Sequence, residues 1–275
     1  QMTMFVVVKS HDISNWAPML SKRGESNQGW QLRRRGGDDR ITLTVRGTSG
    51  TDDPAANPYV KHRGKWRIFA ARYDGNSRTQ WGNGRQEYSF SDTGTIPATA
   101  SKVAIGARDN NGDNNISMAG NMTFGEIIFF KTGISNSQVA MVEGYLQDKW
   151  KVDDGIVLAG HKFKDTAPDF SERQRGADVT LYYGISDGGE DTGAWDNNIN
   201  LGKSYAAPNL PSYSGLELWL NADKLSGSVG DVVTSWDDQS GNGNHADNAS
   251  GSPVIKSFNG HNIIAFNADG GKDDL

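Results

Sequence analysis

The chain has 275 residues, a formal net charge of −5 and no cysteine. That length suffices for one large β domain, alone or with a small appendage. The charge argues against nucleic acid or an anionic membrane as the main partner, and the missing cysteine excludes disulfides, thiol catalysis and Cys-ligated zinc.

Taken in chain order, Met2 to Val8 reads as a buried strand rich in Val and aromatics. Gly29 to Arg33 and Arg40 to Val45 alternate with period two, so each should turn one face to a core. Between them, Arg33-Arg34-Arg35 precedes Gly36-Gly37-Asp38-Asp39, a solvated hairpin rather than a phosphate track. Trp66 to Tyr73 is a further strand, followed by hairpin signals at Asp74-Gly75 and Asn83-Gly84. Val103 to Gly106 and Met122 to Phe130 are strands on either side of an Asn/Asp/Gly loop. One helix is expected over 136–150: Ser135 with Gln138 makes a capping box, and Val139, Val142, Leu146 and Trp150 share a face. It reads as a lid on a sheet edge. Residues 151–214 hold one strand, Val179 to Tyr183, with too little apolar material for a core of their own, and read as a connector with a β-hairpin. Residues 215–275 turn β-rich again, with strands at Leu216 to Asp223 and Asn262 to Phe266. No apolar run approaches the ~20 residues of a membrane helix.

Many short strands with polar turns indicate a sandwich or jelly roll. Leu218-Trp219-Leu220-Asn221-Ala222-Asp223, the run Trp236-Asp237-Asp238-Gln239-Ser240-Gly241-Asn242-Gly243-Asn244-His245-Ala246, and Ile264-Ala265-Phe266-Asn267 resemble the opening of laminin-G-like, concanavalin-A-like jelly-roll domains of bacterial surface proteins. Met4 to Lys9 resembles the strand that follows in that family, and Gly120 to Phe130 with Glu143-Gly144-Tyr145-Leu146 resembles its finish. The resemblance implies an all-β jelly-roll sandwich with a short helix at 136–150. It also implies an extracellular, cell-surface setting and adhesive or polysaccharide-binding work.

The order departs from that family, in which the 216–275 segment would precede 2–150. Three arrangements satisfy this. The chain is one period of a repeat cut inside the jelly roll, or a circular permutant closing on itself, or a subunit whose 216–275 completes a neighbouring copy. The start at Gln1 without a leader reads as a processed product or an excised part of something longer. The 151–214 connector reaches roughly 200 Å at ~3.3 Å per residue, so reach excludes none of the three. Leaving both halves unpaired is excluded, because each would expose sheet edges and a half-core. The leading expectation is a structural, adhesive repeat or head-to-tail filament subunit. The alternatives are a lectin-like carbohydrate-binding module, and a polysaccharide hydrolase or lyase.

Two loops offer oxygen ligands suited to Ca²⁺: Asp109, Asn111 and Asp113 in one, and Asp237, Asp238 and Asn242 in the other. The competing reading of each is a polar turn whose Asx side chains bond local backbone. Trp16, Trp81 and Trp195 lie near loops and are the candidate sugar platforms, whereas Trp66, Trp150 and Trp219 fall on core positions. Catalysis has little support. A strand with Glu-x-Asp-x-x-Glu is absent, Glu126 and Glu217 stand singly in strands, and neither a zinc-binding His-Glu-x-x-His helix nor a Gly-x-Ser-x-Gly elbow occurs.

Overall fold

The computed structural model describes residues 1–11, 15–23, 28–36, 40–50, 63–109, 116–152, 210, 213–247 and 251–266. The long strands are β1 (Met2–Ser10), β2 (Pro18–Arg23), β3 (Gly29–Arg34), β4 (Ile41–Arg46), β5 (Trp66–Tyr73), β6 (Ser77–Gly82) and β7 (Arg85–Ser91). After the short β8 (Ala104–Ile105), β9 (Arg108–Asp109) and β10 (Ile116–Ser117) come β11 (Met122–Phe130) and helix α1 (Asn136–Trp150). The C-terminal segment adds β12 (Leu216–Asn221), β13 (Ser235–Trp236), β14 (Ala246–Asp247), β15 (Val254–Phe258) and β16 (His261–Phe266). The large sheet runs β15-β16-β11-β1-β5-β6-β7, with β12 also on β11, and faces the smaller sheet β4-β3-β2-β8. The two sheets form an all-β jelly-roll sandwich.

The large sheet is buried on both faces, which explains why β1 reads as a nearly continuous apolar run. One face meets the small sheet, where Phe129 stacks on Trp30 with ring centroids 5.4 Å apart. The other carries Phe5, edge-on to Phe130, and is covered by α1. The helix spans the expected residues, with the capping box at Ser135 and Gln138 in place. It packs on the face formed by β1 and β5, however, and not on an edge as the sequence suggested. The cause is the apolar second face of the sheet, which a lid on the edge would leave wet. Thr3 and Arg72 pin the loop ahead of the helix: Ile134 N–H donates to the Thr3 hydroxyl at 3.1 Å, and Arg72 donates to the Ile134 carbonyl at 2.8 Å.

One bulge sets the helix C-terminus. The β1/β11 register slips between Val7 and Val8, leaving Gly125 opposite neither partner. A Cβ at Gly125 would lie 2.9 Å from the ring of Trp150, which is fully buried against the strand. Trp150 is thus a core residue, as expected, while Trp66 and Trp219 are only half-buried.

Side chains satisfy the two vulnerable edges. The outer edge of β4 receives Gln80, whose amide accepts from Leu43 N–H at 2.9 Å and donates to the Ile41 carbonyl at 2.8 Å. Arg78 donates to the Leu43 and Val45 carbonyls and is held by Asp92, both partners being fully buried. Strand β12 is served by the loop 237–244. Asn242 and Asn244 donate to the Glu217 carbonyl, Asn242 also to that of Leu216, and Gln239 N–H donates to the Trp219 carbonyl. These groups replace the missing neighbouring strand and blunt the edge against pairing with another chain.

The inverted halves meet within one chain. β12 pairs with Glu126 to Phe130 and β16 with Met122 to Phe124, both on the edge of β11 that β1 leaves free. Because β16 and β1 are each antiparallel to β11, they run parallel, and Phe266 lies at the Ser10 end. The segment 1–150 and the segment 215–266 therefore form one sandwich. The connector hairpin at Val179 to Tyr183 lies outside the described residues. Multi-angle light scattering should return a monomer at every concentration; a mass that grows with concentration would show that these strands pair between chains.

Candidate functional site

The loop 237–244 is built by hydrogen bonds rather than left open as a ligand set. Asp238 accepts from the N–H groups of Trp219 (2.9 Å), Ser240 (2.8 Å) and Asn244 (3.0 Å) and from the Ser240 hydroxyl (2.7 Å). Burial pushes its carboxyl up, but these donors outweigh burial and hold it below its ordinary value. Asn242 points its amide nitrogen at backbone carbonyls, and Asp237 is largely exposed beside His245. Asp238 and Asn242 thus bond local backbone, as the turn reading expects, while the Asp237 carboxylate accepts from the Ser235 hydroxyl at 3.4 Å. In the other loop, Asp109 is buried and accepts from Lys102 N–H at 2.7 Å, while Asn111 and Asp113 lie outside the described residues. Among the described residues no three His, Asp or Glu side chains gather as a metal site.

Of the tryptophans proposed as sugar platforms, two lie among the described residues, and they occupy different surroundings. Trp16 is exposed at 36%, in a left-handed backbone conformation, with the Arg33 guanidinium 4.6 Å from its ring centre. Trp81 is buried at 6%, with Arg72 over its ring, so it presents no broad face to a ligand. The pairing of β6 with β5 carries it onto the helix side of the sheet, which its position beside a turn did not disclose. Trp195 lies outside the described residues.

The structure instead opens a cavity of about 490 Å³ at the end of the sandwich where β1 begins. Gln1 and Met2, Gly75 of the β5–β6 turn, Lys22 and Gly29 of the β2–β3 hairpin, and the loop 94–99 surround it, with Trp30 and Phe129 also lining it. The loop is fixed at two points. Tyr73 donates its hydroxyl to the Gly94 carbonyl at 2.8 Å, and the Pro97 ring packs where a Cβ on Gly47 would come within 2.5 Å. Gly47, at φ 84°, is required there by both conformation and space. Half-buried Phe129, stacked on the buried Trp30 and lying beside hydroxyl, amide and ammonium groups, forms a surface suited to a ligand with apolar and polar faces. Nothing in the residue pattern singles out Trp30 or Phe129, since their strand positions assign both to the core, and the cavity depends on loops that meet only in three dimensions.

The carboxylates are occupied in structural roles. Glu126, fully buried, accepts from Tyr145, Lys149, Trp150 and Trp219, and its charge partner is Lys149 rather than an arginine. Glu217 pairs with Lys131 at 2.9 Å. Glu87 accepts from the Gln80 amide at 2.5 Å. Glu143 accepts from Gly84 N–H at 3.2 Å; burial pushes its carboxyl up to about 8, with Glu87 adding to the rise against that hydrogen bond. The folded state therefore holds this proton more tightly than the unfolded chain. The contribution of Glu143 to stability is greatest at acid pH and should fall, at about 1.4 kcal/mol per pH unit, between an unfolded value near 4.5 and about 8. In urea titrations from pH 5 to 9, Glu143→Gln should flatten this decline; an unchanged slope would contradict the assignment.

The geometry defines the class as a concanavalin A-like sandwich. Residues 1–122 match the family model described as the concanavalin A-like lectin/glucanases superfamily. No curated protein matches the sequence. Among solved structures, the chain is similar to a protein of Bacteroides ovatus described as a carbohydrate-binding candidate, at 13% identity and a TM-score of 0.41. That match covers 50% of this chain and only 39% of the Bacteroides protein. It is similar also to a heptameric pentraxin of Limulus polyphemus (15% identity, TM-score 0.38, 52% of this chain and 69% of that one). A third likeness is domain 4 of the extracellular arabinanase AbnA of Geobacillus stearothermophilus, in complex with arabinotriose. There the identity is 19%, the TM-score 0.34, and the match covers 51% of this chain and 65% of that one.

Proposed function

We propose that this chain is a non-catalytic carbohydrate-binding module working at a cell surface. The observation that carries this reading is the cavity beside Trp30 and Phe129, whose volume of about 490 Å³ falls in the ~300–1,000 Å³ range of small-ligand sites. Its rim of Gln1, Lys22, Thr95 and Thr99 supplies donors and acceptors for sugar hydroxyls, while half-buried Phe129 supplies apolar surface. Among the described residues that line the cavity there is neither aspartate nor glutamate, whereas sugar hydrolysis ordinarily needs two carboxylates. Ala98, exposed on the cavity wall, allows a test that spares the core. Affinity electrophoresis against a polysaccharide panel should show retardation by at least one polymer. Ala98→Trp should abolish it while leaving the melting temperature unchanged. Unimpeded migration on every polymer, or full retention by the variant, would refute the reading.

The head-to-tail repeat or filament draws support from one feature. The C-terminal strands join the rest of the large sheet along a single edge of β11, and a neighbour's strands would fit that edge equally well. Concentration-dependent growth in mass would favour it.

A further inference from the structure

We propose that the cavity at the sandwich end takes an anionic saccharide, recognised by Lys22; this rests on the carbohydrate-binding reading above. The chain carries 33 acidic and 28 basic residues, yet among the described residues lining the cavity the charged side chains are one lysine and no carboxylate. Lys22 stands opposite Trp30 in the β2/β3 register, on the face of the small sheet that looks into the sandwich, and at the end where the cavity opens. It is half-buried and has no ion-pair partner among the described residues. By contrast, the half-buried Lys149 engages Glu126 and Asp223, and the more exposed Lys131 and Lys151 also pair with carboxylates. A partly desolvated ammonium with no counter-charge among the described residues suits an anionic ligand, since its attraction is screened less than at an open surface.

The remaining walls fit the rest of such a ligand. Thr95, Thr99 and Gln1 offer hydroxyl and amide groups to sugar hydroxyls, and half-buried Phe129 meets the carbon skeleton. A uronate carboxylate and a sulfate ester share the chemistry Lys22 recognises, so both are to be presented.

A glycan array should carry matched sets: polyuronates, the same polymers with their carboxyls methyl-esterified, sulfated polymers, and neutral glucans, galactans and mannans. The folded chain should be retained on an anionic set. Esterification or desulfation should weaken retention about tenfold, as expected for losing one charge-assisted hydrogen bond. Lys22→Gln should reproduce that loss with an unchanged melting temperature, Lys22→Arg should restore most of it, and 0.5 M NaCl should reduce wild-type binding more than that of Lys22→Gln. Retention of the esterified or neutral polymers alone, or full binding by Lys22→Gln, would overturn the anionic preference and leave the carbohydrate reading standing. Retention on no polymer would overturn both.

Discussion

A single enclosed carboxylate organises the meeting of the two halves of this chain. Glu126 sits in the middle of β11 with no solvent contact. One oxygen accepts from the Tyr145 hydroxyl and the Trp219 indole; the other accepts from the Trp150 indole and the Lys149 ammonium. A lone buried carboxylate would be costly, and this one is tolerable because its partners arrive together. Three come from the helix and the fourth from a strand 93 residues away. Burial, followed by the adjacent Glu126 charge, holds the Tyr145 phenol well above its ordinary range, so the hydroxyl remains a donor. Lys149 carries the network onward to Asn221 and Asp223, and Asp223 to His261. Helix, β11, β12 and β16 are thereby tied by one chain of charge-assisted contacts.

Around that hub the sandwich follows from ordinary constraints. A central strand buried on both faces needs cover on each side, and the small sheet and α1 supply it. Edges need partners, and Gln80, Arg78, Asn242 and Asn244 act as substitute strands. The Ser-Gly-Asn-Gly-Asn-His motif is accordingly a device for closing an edge, and Asp238 is its keystone. The end of the sandwich is different: the loop 94–99 stands off from the rings of Trp30 and Phe129 and leaves space with a cation on its wall.

Much of the architecture was legible in the residues. β5, β11 and α1 span the ranges their periodicity predicts, and the turn at Asn83-Gly84 adopts positive φ at both residues. β2 falls outside the strands read from the sequence, since its polar residues mark no core face; Arg23 is nonetheless buried and bonded to Gln31 across the hairpin. A polar residue satisfied by a neighbouring strand looks, in sequence, like one facing water. The candidate site was hidden for the complementary reason. Trp30 and Phe129 carry the pattern of core residues, and only the closure of the sandwich shows where the core ends. Trp81 illustrates the reverse error, since proximity to a turn says nothing about the face on which a ring lies.

The account stands on Glu126 joining β12 to β11 within one molecule. A double-mutant cycle with Glu126→Gln and Trp219→Phe, read by urea denaturation at several protein concentrations, measures that link directly. A coupling energy of about 1–3 kcal/mol, independent of concentration, is the predicted result. Additivity within ~0.5 kcal/mol, or a coupling that fades on dilution, would contradict it.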